Sequence, residues 1–339
     1  MKVLLQFFIV TFLCWWFSAF AAEVDSITPR NLMLEDALED INSIINRRIK
    51  QGVANANDDF RLMKDISNFP IISKDNDCDE DELYTELRKA LFQSFTASWG
   101  LKGYDLDMQL RELLFQKSYA LSLSDSIYRD ITLLEGFSLN LKELSHLVNI
   151  NGYLVGMDKL GHFFAQGWQY FEISNKEGQS LDDALAWGQE KESGLYGYTT
   201  TGIYSFADLA ANFDGWRFWN RVLFKQSDPV KGFFSWLFQR SYVNCKIQFA
   251  ASFRQLKLVR AWEVTTDFDL ADYINAAWDE GINCNSYANT VIALKVNSRI
   301  NEVASGFSCP VNPMACIRAR KNYGKYAQRL LHPLCYSVR

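Results

Sequence analysis

Three apolar, helix-patterned segments carry ionisable side chains at positions that the pattern assigns to a core. They constrain the fold of this 339-residue chain more than any other feature. The first is GMDKLGHFFAQGWQYFE, residues 156–172. On a helix Asp158 and His162 are four residues apart and share a face, which Gly161, Ala165 and Gln169 extend. The second, SLDDALAWGQEKESG, predicts a helix capped by Ser180 and ended by Gly194, with Leu181, Leu185, Gly188 and Glu192 on one side. The third, SFADLAANFDGWRFW, has Ser205 as N-cap and sets Asp208 and Asn212 four apart, with Ala211 and Gly215 as small neighbours. A buried charge is costly unless it is paired. The three segments are therefore expected to converge, with Asp158, His162, Glu192 and Asp208 in one hollow.

That set defines a chemistry. A carboxylate beside an imidazole fixes its tautomer and raises its basicity, so Asp158 would orient His162 as a general base or metal ligand. Glu192 would be a second acid/base or ligand. Asp208, Asn212 and Ser205 would position substrate or a divalent metal ion. Lys159 falls on a different face, where it would be a surface charge or a partner for phosphate. The competing reading is a polar network that only locks the helices together.

The ends of the chain bound its location. MKVLLQFFIVTFLCWWFSAFAAE has a basic start, a short apolar run and small residues at Ala19 and Ala21, which predicts a signal peptide over 1–21. Leu13 before Cys14 argues against lipid attachment there. Cys78, Cys245, Cys284, Cys309, Cys316 and Cys335 remain, an even number with no CxxC pair. In an oxidising compartment they predict three disulfides among 15 connectivities, with the last third most heavily stapled. The absence of an Asn-x-Ser/Thr sequon favours a periplasmic or secreted protein of a bacterial envelope over a eukaryotic route.

The expected fold is mainly α: a multi-helix bundle with a disulfide-stapled C-terminal part. The divisions are an N-terminal helical region, 22–150, a motif core, 151–225, and a cysteine-rich helical region, 226–339. Helices are expected from a Thr28-Pro29 start through Ile49, from Asp79 through Phe95, and at Leu106–Phe115, Ser124–Leu134, Leu139–Ile150, Asp269–Glu280 and Ser286–Val303. QGVANANDDF and NFPIISKDND read as loops. The mildly acidic net charge of −5 argues against a nucleic-acid partner. The basic tail with Arg318, Arg320, Lys321, Lys325, Arg329 and Arg339, and the aromatic patch GFFSWLF, suggest a membrane surface or lipid-linked molecule as partner. His146 reads as a packing histidine, and His332 has no acid beside it.

The ordered pattern D-K-x-x-H-F, then an acid, then S-x-x-D-x-x-x-N-x-x-G resembles that of VanZ-like proteins. It is similar too to a related family of small bacterial envelope lipoproteins of unknown function. The matching positions are Asp158, Lys159, His162 and Phe163; Glu192; and Ser205, Asp208, Asn212 and Gly215. The resemblance covers about 60 residues. It implies an envelope protein, with one branch tied to glycopeptide-antibiotic resistance. VanZ-like proteins carry the motif in membrane-spanning helices, whereas Gln166, Gln169, Lys176 and Glu177 interrupt the apolar run here. No HExxH, G-x-S-x-G, G-x-G-x-x-G or Walker loop occurs, which removes the commonest protease, hydrolase, dinucleotide and NTPase layouts. The resulting expectation is a hydrolase or transferase acting on a lipid or lipid-linked envelope substrate. The alternative is a non-catalytic binding or structural protein. Substrate, metal and oligomeric state stay open.

Overall fold

The computed structural model describes residues 23–66, 78–98, 101–194, 197–232, 239–252 and 255–339. Helices predominate, joined by short antiparallel strands. Helix α1, Leu38–Ile66, packs on α2, Glu80–Arg88. Asp79 caps α2 by accepting from the Asp81 and Glu82 amides, and three acids fill its first turn. α1 starts later than expected, after a turn at Thr28–Leu32, and runs on through QGVANANDDF, which was expected as a loop. The Ile41, Ile45 and Ile49 stripe drives this, since burying it outweighs the weak helix propensity of Asn and Asp. NFPIISKDND lies outside the described residues, as does all of GFFSWLF but Gly232.

A hairpin of β1, Phe95–Ser98, and β2, Leu101–Tyr104, leads to α3, Asp105–Leu113. Strand β3, Ser118–Tyr119, is followed by turns and a 3-10 turn at Leu123–Asp125, not by the expected helix over Ser124–Leu134. The helix expected at Leu139–Ile150 is also corrected. Only α4, Phe137–Leu141, is helical, and β4, Leu147–Ile150, pairs with β5, Tyr153–Gly156. The turn between them is Asn151-Gly152, with φ of 54° and 83°. These are the left-handed values that a tight hairpin turn needs and that Asn-Gly supplies.

The motif segment follows directly. It is helical from Asp158 but not uniformly α. α5, Asp158–Gly161, passes into a π turn at His162–Gln166, then α6, Gly167–Phe171, then a second π turn at Glu172–Lys176. α7, Leu181–Ser193, has the expected Ser180 cap, completed as a capping box by Asp183. β6, Ile203–Ser205, leads into α8, Phe206–Leu223, capped by Ser205. α8 is buried nearly all round, its polar side chains included, so it is the central helix, with α6 and α7 against it. The closest approach is between Gly167 and Gly215. A Cβ on Gly215 would lie 1.9 Å from the Phe163 carbonyl oxygen, whereas one on Gly161 would meet nothing within 4 Å. The small-residue contact is thus at Gly167, six residues after Gly161 and two after Ala165.

Beyond α8, strands β7, Val243–Ser252, and β8, Gln255–Val264, form a hairpin. The helix expected at Asp269–Glu280 is two 3-10 turns, Leu270–Asp272 and Ala276–Trp278. β9, Asn285–Tyr287, pairs with β6 and precedes α9, Thr290–Val303. α10, Pro313–Tyr323, α11, Ala327–Leu330, and α12, Pro333–Tyr336, complete the chain. One apolar core draws on all three expected divisions, from Ala37 through Phe163 and Trp219 to Cys335. At its centre the Phe163 ring lies 4.9 to 5.5 Å from Phe164, Phe218, Tyr273 and Trp278. Three disulfides form: Cys78–Cys245, Cys284–Cys309 and Cys316–Cys335. Two staple the C-terminal part, and the third ties the start of α2 to β7. Among the described residues, no helix is long and apolar enough to cross a membrane.

Candidate functional site

β5 delivers the chain to Asp158, whose amide donates to Ser145 Oγ at 3.0 Å. The next residue is the centre of the site. Lys159 is 1% exposed, and its Nζ lies 2.5 Å from Asp158, 2.6 Å from Asp208 and 2.6 Å from Glu280. The expectation of a surface lysine or a phosphate partner is corrected: this is a buried ammonium held by three carboxylates. Burial alone would lower its pKa, but Asp158, Asp208 and Glu280 more than reverse that and hold it well above the ordinary lysine value.

His162 is 2% exposed and projects from the π turn toward α8. Its Nδ1 lies 3.1 Å from Asn212 Oδ1, and its Nε2 lies 3.1 Å from Asp208 Oδ2. Asn212 Nδ2 donates to Gln166 Oε1 at 2.9 Å, which sets the amide with its oxygen toward the imidazole. The residues that orient His162 are therefore Asp208 and Asn212, not Asp158 as expected. Asp158 stays close, since ligand atoms of Asp158, His162 and Asp208 all lie within 4.8 Å of one another. These three could face a divalent cation. However, the Lys159 ammonium sits against two of them and already supplies the positive charge.

Ser205 knits the second and third segments together. Its backbone amide donates to Glu192 Oε1 at 3.0 Å, and its hydroxyl accepts from the Asp208 amide at 3.2 Å. The same hydroxyl donates to Glu280 Oε1 at 3.0 Å. Glu192 is 1% exposed. Burial, with Asp208 and Glu23 nearby, pushes its carboxyl well above the usual range. Burial opposes ionisation of Asp208 too, but His162 and Lys159 outweigh it and hold that carboxyl below its ordinary value. The expected convergence of Asp158, His162, Glu192 and Asp208 is thus observed, with Asn212 and Ser205 beside them.

Two members were not anticipated. Glu280 joins from the loop after Trp278, and its Oε2 accepts from Asn285 Nδ2 at 2.7 Å. Burial raises it, Lys159 pulls it back, and Asp208 and Asp158 push it up again, leaving it at about 7. Its signal in the sequence was the acid pair Asp279-Glu280 between Trp278 and Gly281, hidden by reading that stretch as an ordinary helix. Asp279 serves a separate purpose, gripping Arg30 at 2.7 and 2.6 Å. Glu23 also belongs. Burial, Glu280 and Asp208 push it well above the usual carboxyl range. It lies on no periodic element, so nothing in the pattern marked it.

The cluster opens on one side. A cleft of about 550 Å³ is lined by Glu280, Asn285, Tyr128, Tyr198, Tyr287 and His332, among others. Glu280 is the cluster acid that reaches it. His332 caps α12, accepting from the Leu334 amide through Nδ1. Burial lowers it to about 4, so it is neutral. His146 is half-buried near Ser118 rather than on a helix.

A second buried ion network provides an internal contrast. Asp214 accepts from Arg217, Trp278 and Tyr323 at 2.7, 2.8 and 2.6 Å, which satisfies both of its oxygens. In the Lys159 cluster, by comparison, Asp158 Oδ1, His162 Nε2 and Asp208 Oδ1 are buried without a directed hydrogen bond, despite their ionic neighbours. No family model, no curated protein and no solved structure matches the chain.

Proposed function

We propose that this chain is an exported bacterial envelope hydrolase or transferase, acting on a lipid-linked envelope substrate from the cleft above Glu280. One observation carries the reading: the buried Lys159 cluster, with its incompletely bonded polar atoms, reaches the cleft through a carboxyl that titrates near 7. A carboxyl near neutrality can both give and take a proton at envelope pH. In this reading Glu280 is the acid/base group. Lys159 and Asp208 set its charge, and His162 with Asp158 holds Asp208 and Lys159 in place. Burial raises Glu192 and Glu23 as well, which opposes the build-up of negative charge in the hollow. Perturbed ionisable groups beside a cleft are the usual mark of a site. The export part of the proposal is supported by three disulfides and by the lack of a membrane-crossing helix among the described residues.

The test is release of soluble product from isolated bacterial envelopes by the purified protein, followed by mass spectrometry across pH. The wild type is expected to give product with an inflection near pH 7, and Glu280→Gln to lose it with the fold intact. Equal release by Glu280→Gln, or none by the wild type, overturns the proposal.

A second reading keeps its own support. Lys159 is saturated by three carboxylates and nearly inaccessible, as a purely structural lock would be. It predicts that His162→Gln loses stability while envelope phenotypes persist once folding is restored.

A further inference from the structure

We infer that the cleft above Glu280 is a binding site for a neutral, hydroxyl-rich ligand: a carbohydrate. The inference deepens the proposed function, resting on it only in placing Glu280 at the reacting end. The chemistry of the lining decides the class. Among the described residues no lysine or arginine lines the cleft, and its histidine, His332, is neutral above about pH 4. Its ionisable acid is Glu280. A phosphate, sulfate or carboxylate would therefore meet no countercharge and one potential repulsion.

What the cleft does offer suits hydroxyl groups. Asn297 and Asn301 each carry a donor and an acceptor, Asn285 adds an acceptor, and Tyr128, Tyr198 and Tyr287 combine an apolar ring with a hydroxyl. Ile27, Ile300 and Phe307 add apolar wall of the kind the C–H face of a sugar ring covers. The volume of about 550 Å³ falls within the range of ordinary small-molecule sites, ~300–1,000 Å³.

An independent observation points the same way. Asn285 Nδ2 is committed to Glu280 Oε2 at 2.7 Å and to Tyr128 Oη at 3.1 Å, while its Oδ1 is buried with no partner. A buried acceptor without a donor is costly. A ligand hydroxyl reaching this wall would supply the donor. The wall is also preformed: Asn285 and Tyr287 lie on β9, paired to β6, and the Cys284–Cys309 disulfide closes the loop behind them.

The experiment is calorimetric titration of the purified full protein with two neutral probes, a β-1,4-linked N-acetylglucosamine tetramer and maltotetraose. Inorganic pyrophosphate and phosphatidylglycerol vesicles serve as anionic probes. At least one neutral oligosaccharide is expected to saturate, with affinity falling about tenfold in Asn285→Ala, as expected for one lost buried hydrogen bond. Asn297→Ala, at an exposed rim position of α9, gives a smaller loss in the same direction and covers the case in which Asn285→Ala does not fold. The inference is overturned if neither oligosaccharide saturates, if both variants bind as the wild type does, or if only the anionic probes bind. Envelope turnover without oligosaccharide binding removes this inference alone. Oligosaccharide binding without turnover in any assay removes the proposed reaction and leaves the site.

Discussion

Asp208 Oδ2 stands 3.1 Å from His162 Nε2, while the other oxygen of the same carboxylate stands 2.6 Å from Lys159 Nζ. One carboxylate on α8 thus faces both the ammonium and the imidazole of the motif helix. Groups sharing a partner in this way respond to substitution together, with interaction energies of about 0.5–3 kcal/mol. Urea unfolding of His162→Gln, Asp208→Asn and the double variant should therefore show less destabilisation in the double than the sum of the singles. Additive losses would mean that the contact carries no energy.

Lys159 is the most demanding position. Lys159→Met would leave Asp158, Asp208 and Glu280 buried around an apolar side chain. Breaking a buried ionic arrangement by removing one partner costs about 3–5 kcal/mol. The midpoint of urea unfolding should drop accordingly, and Asp158→Asn in the same background should recover part of the loss. Were Lys159→Met as stable as the wild type at neutral pH, the ammonium would not be what holds the three acids together.

The helix crossing gives a contrast between two glycines of one motif region. A Cβ on Gly215 would meet the Phe163 carbonyl oxygen at 1.9 Å, a backbone atom that cannot swing aside. Gly215→Ala should cost roughly 1–3 kcal/mol or more, as overpacking does. Gly161 is helical and faces open space, so Gly161→Ala should be neutral or stabilise by up to ~1 kcal/mol. Thermal unfolding of the two variants measures both, and a reversed order would place the crossing elsewhere.

Glu280 should leave a mark on stability against pH. Burial holds its folded carboxyl at about 7, while an unfolded glutamate titrates near ~4.3. Between those values the folded state binds the extra proton. Its contribution is therefore fully present below the lower value and declines as pH rises toward the upper one. The decline is on the order of 3 kcal/mol, and Glu23 and Glu192 act in the same direction. Unfolding midpoints should fall between pH 5 and pH 8, and Glu280→Gln should flatten the fall. A midpoint rising over that range in the wild type would contradict the burial of these acids.

Cys78–Cys245 spans 167 residues and joins α2 to the β7–β8 hairpin. Losing a native disulfide typically costs 2–5 kcal/mol, and long loops are at the upper end in the chain-entropy account. The Cys78→Ser, Cys245→Ser pair should unfold at clearly lower urea than the wild type. It should lose more stability than the pair that removes Cys316–Cys335, whose loop spans 19 residues.

Part of this organisation was legible in the chain. Ser180 and Ser205 announced their helices through capping, because a side-chain oxygen before an apolar run is a local signal. The meeting of Asp158, His162, Glu192 and Asp208 was legible because buried charge has to find a partner, whatever the fold. The β4–β5 hairpin was also written locally, in Asn151-Gly152, but its flanking leucines and isoleucines fit a helix stripe as well as a strand. Helix α1 was cut short because Asn and Asp suggest loops, and only packing against α2 overrides them.

The sequence by itself determined that Asp158, His162, Glu192 and Asp208 had to be sheltered together, since the cost of burying an unpaired charge is independent of topology. Only the tertiary structure decided how they pair. Lys159 proved to be the hub, Asp208 rather than Asp158 took His162, and Glu280 and Glu23 entered from outside the motif. These choices depend on distances of a few ångströms between residues up to 121 apart, Lys159 and Glu280 being the extreme. No local periodicity encodes such distances; the packing of α8 against the motif helix and the 3-10 turns beside it sets them.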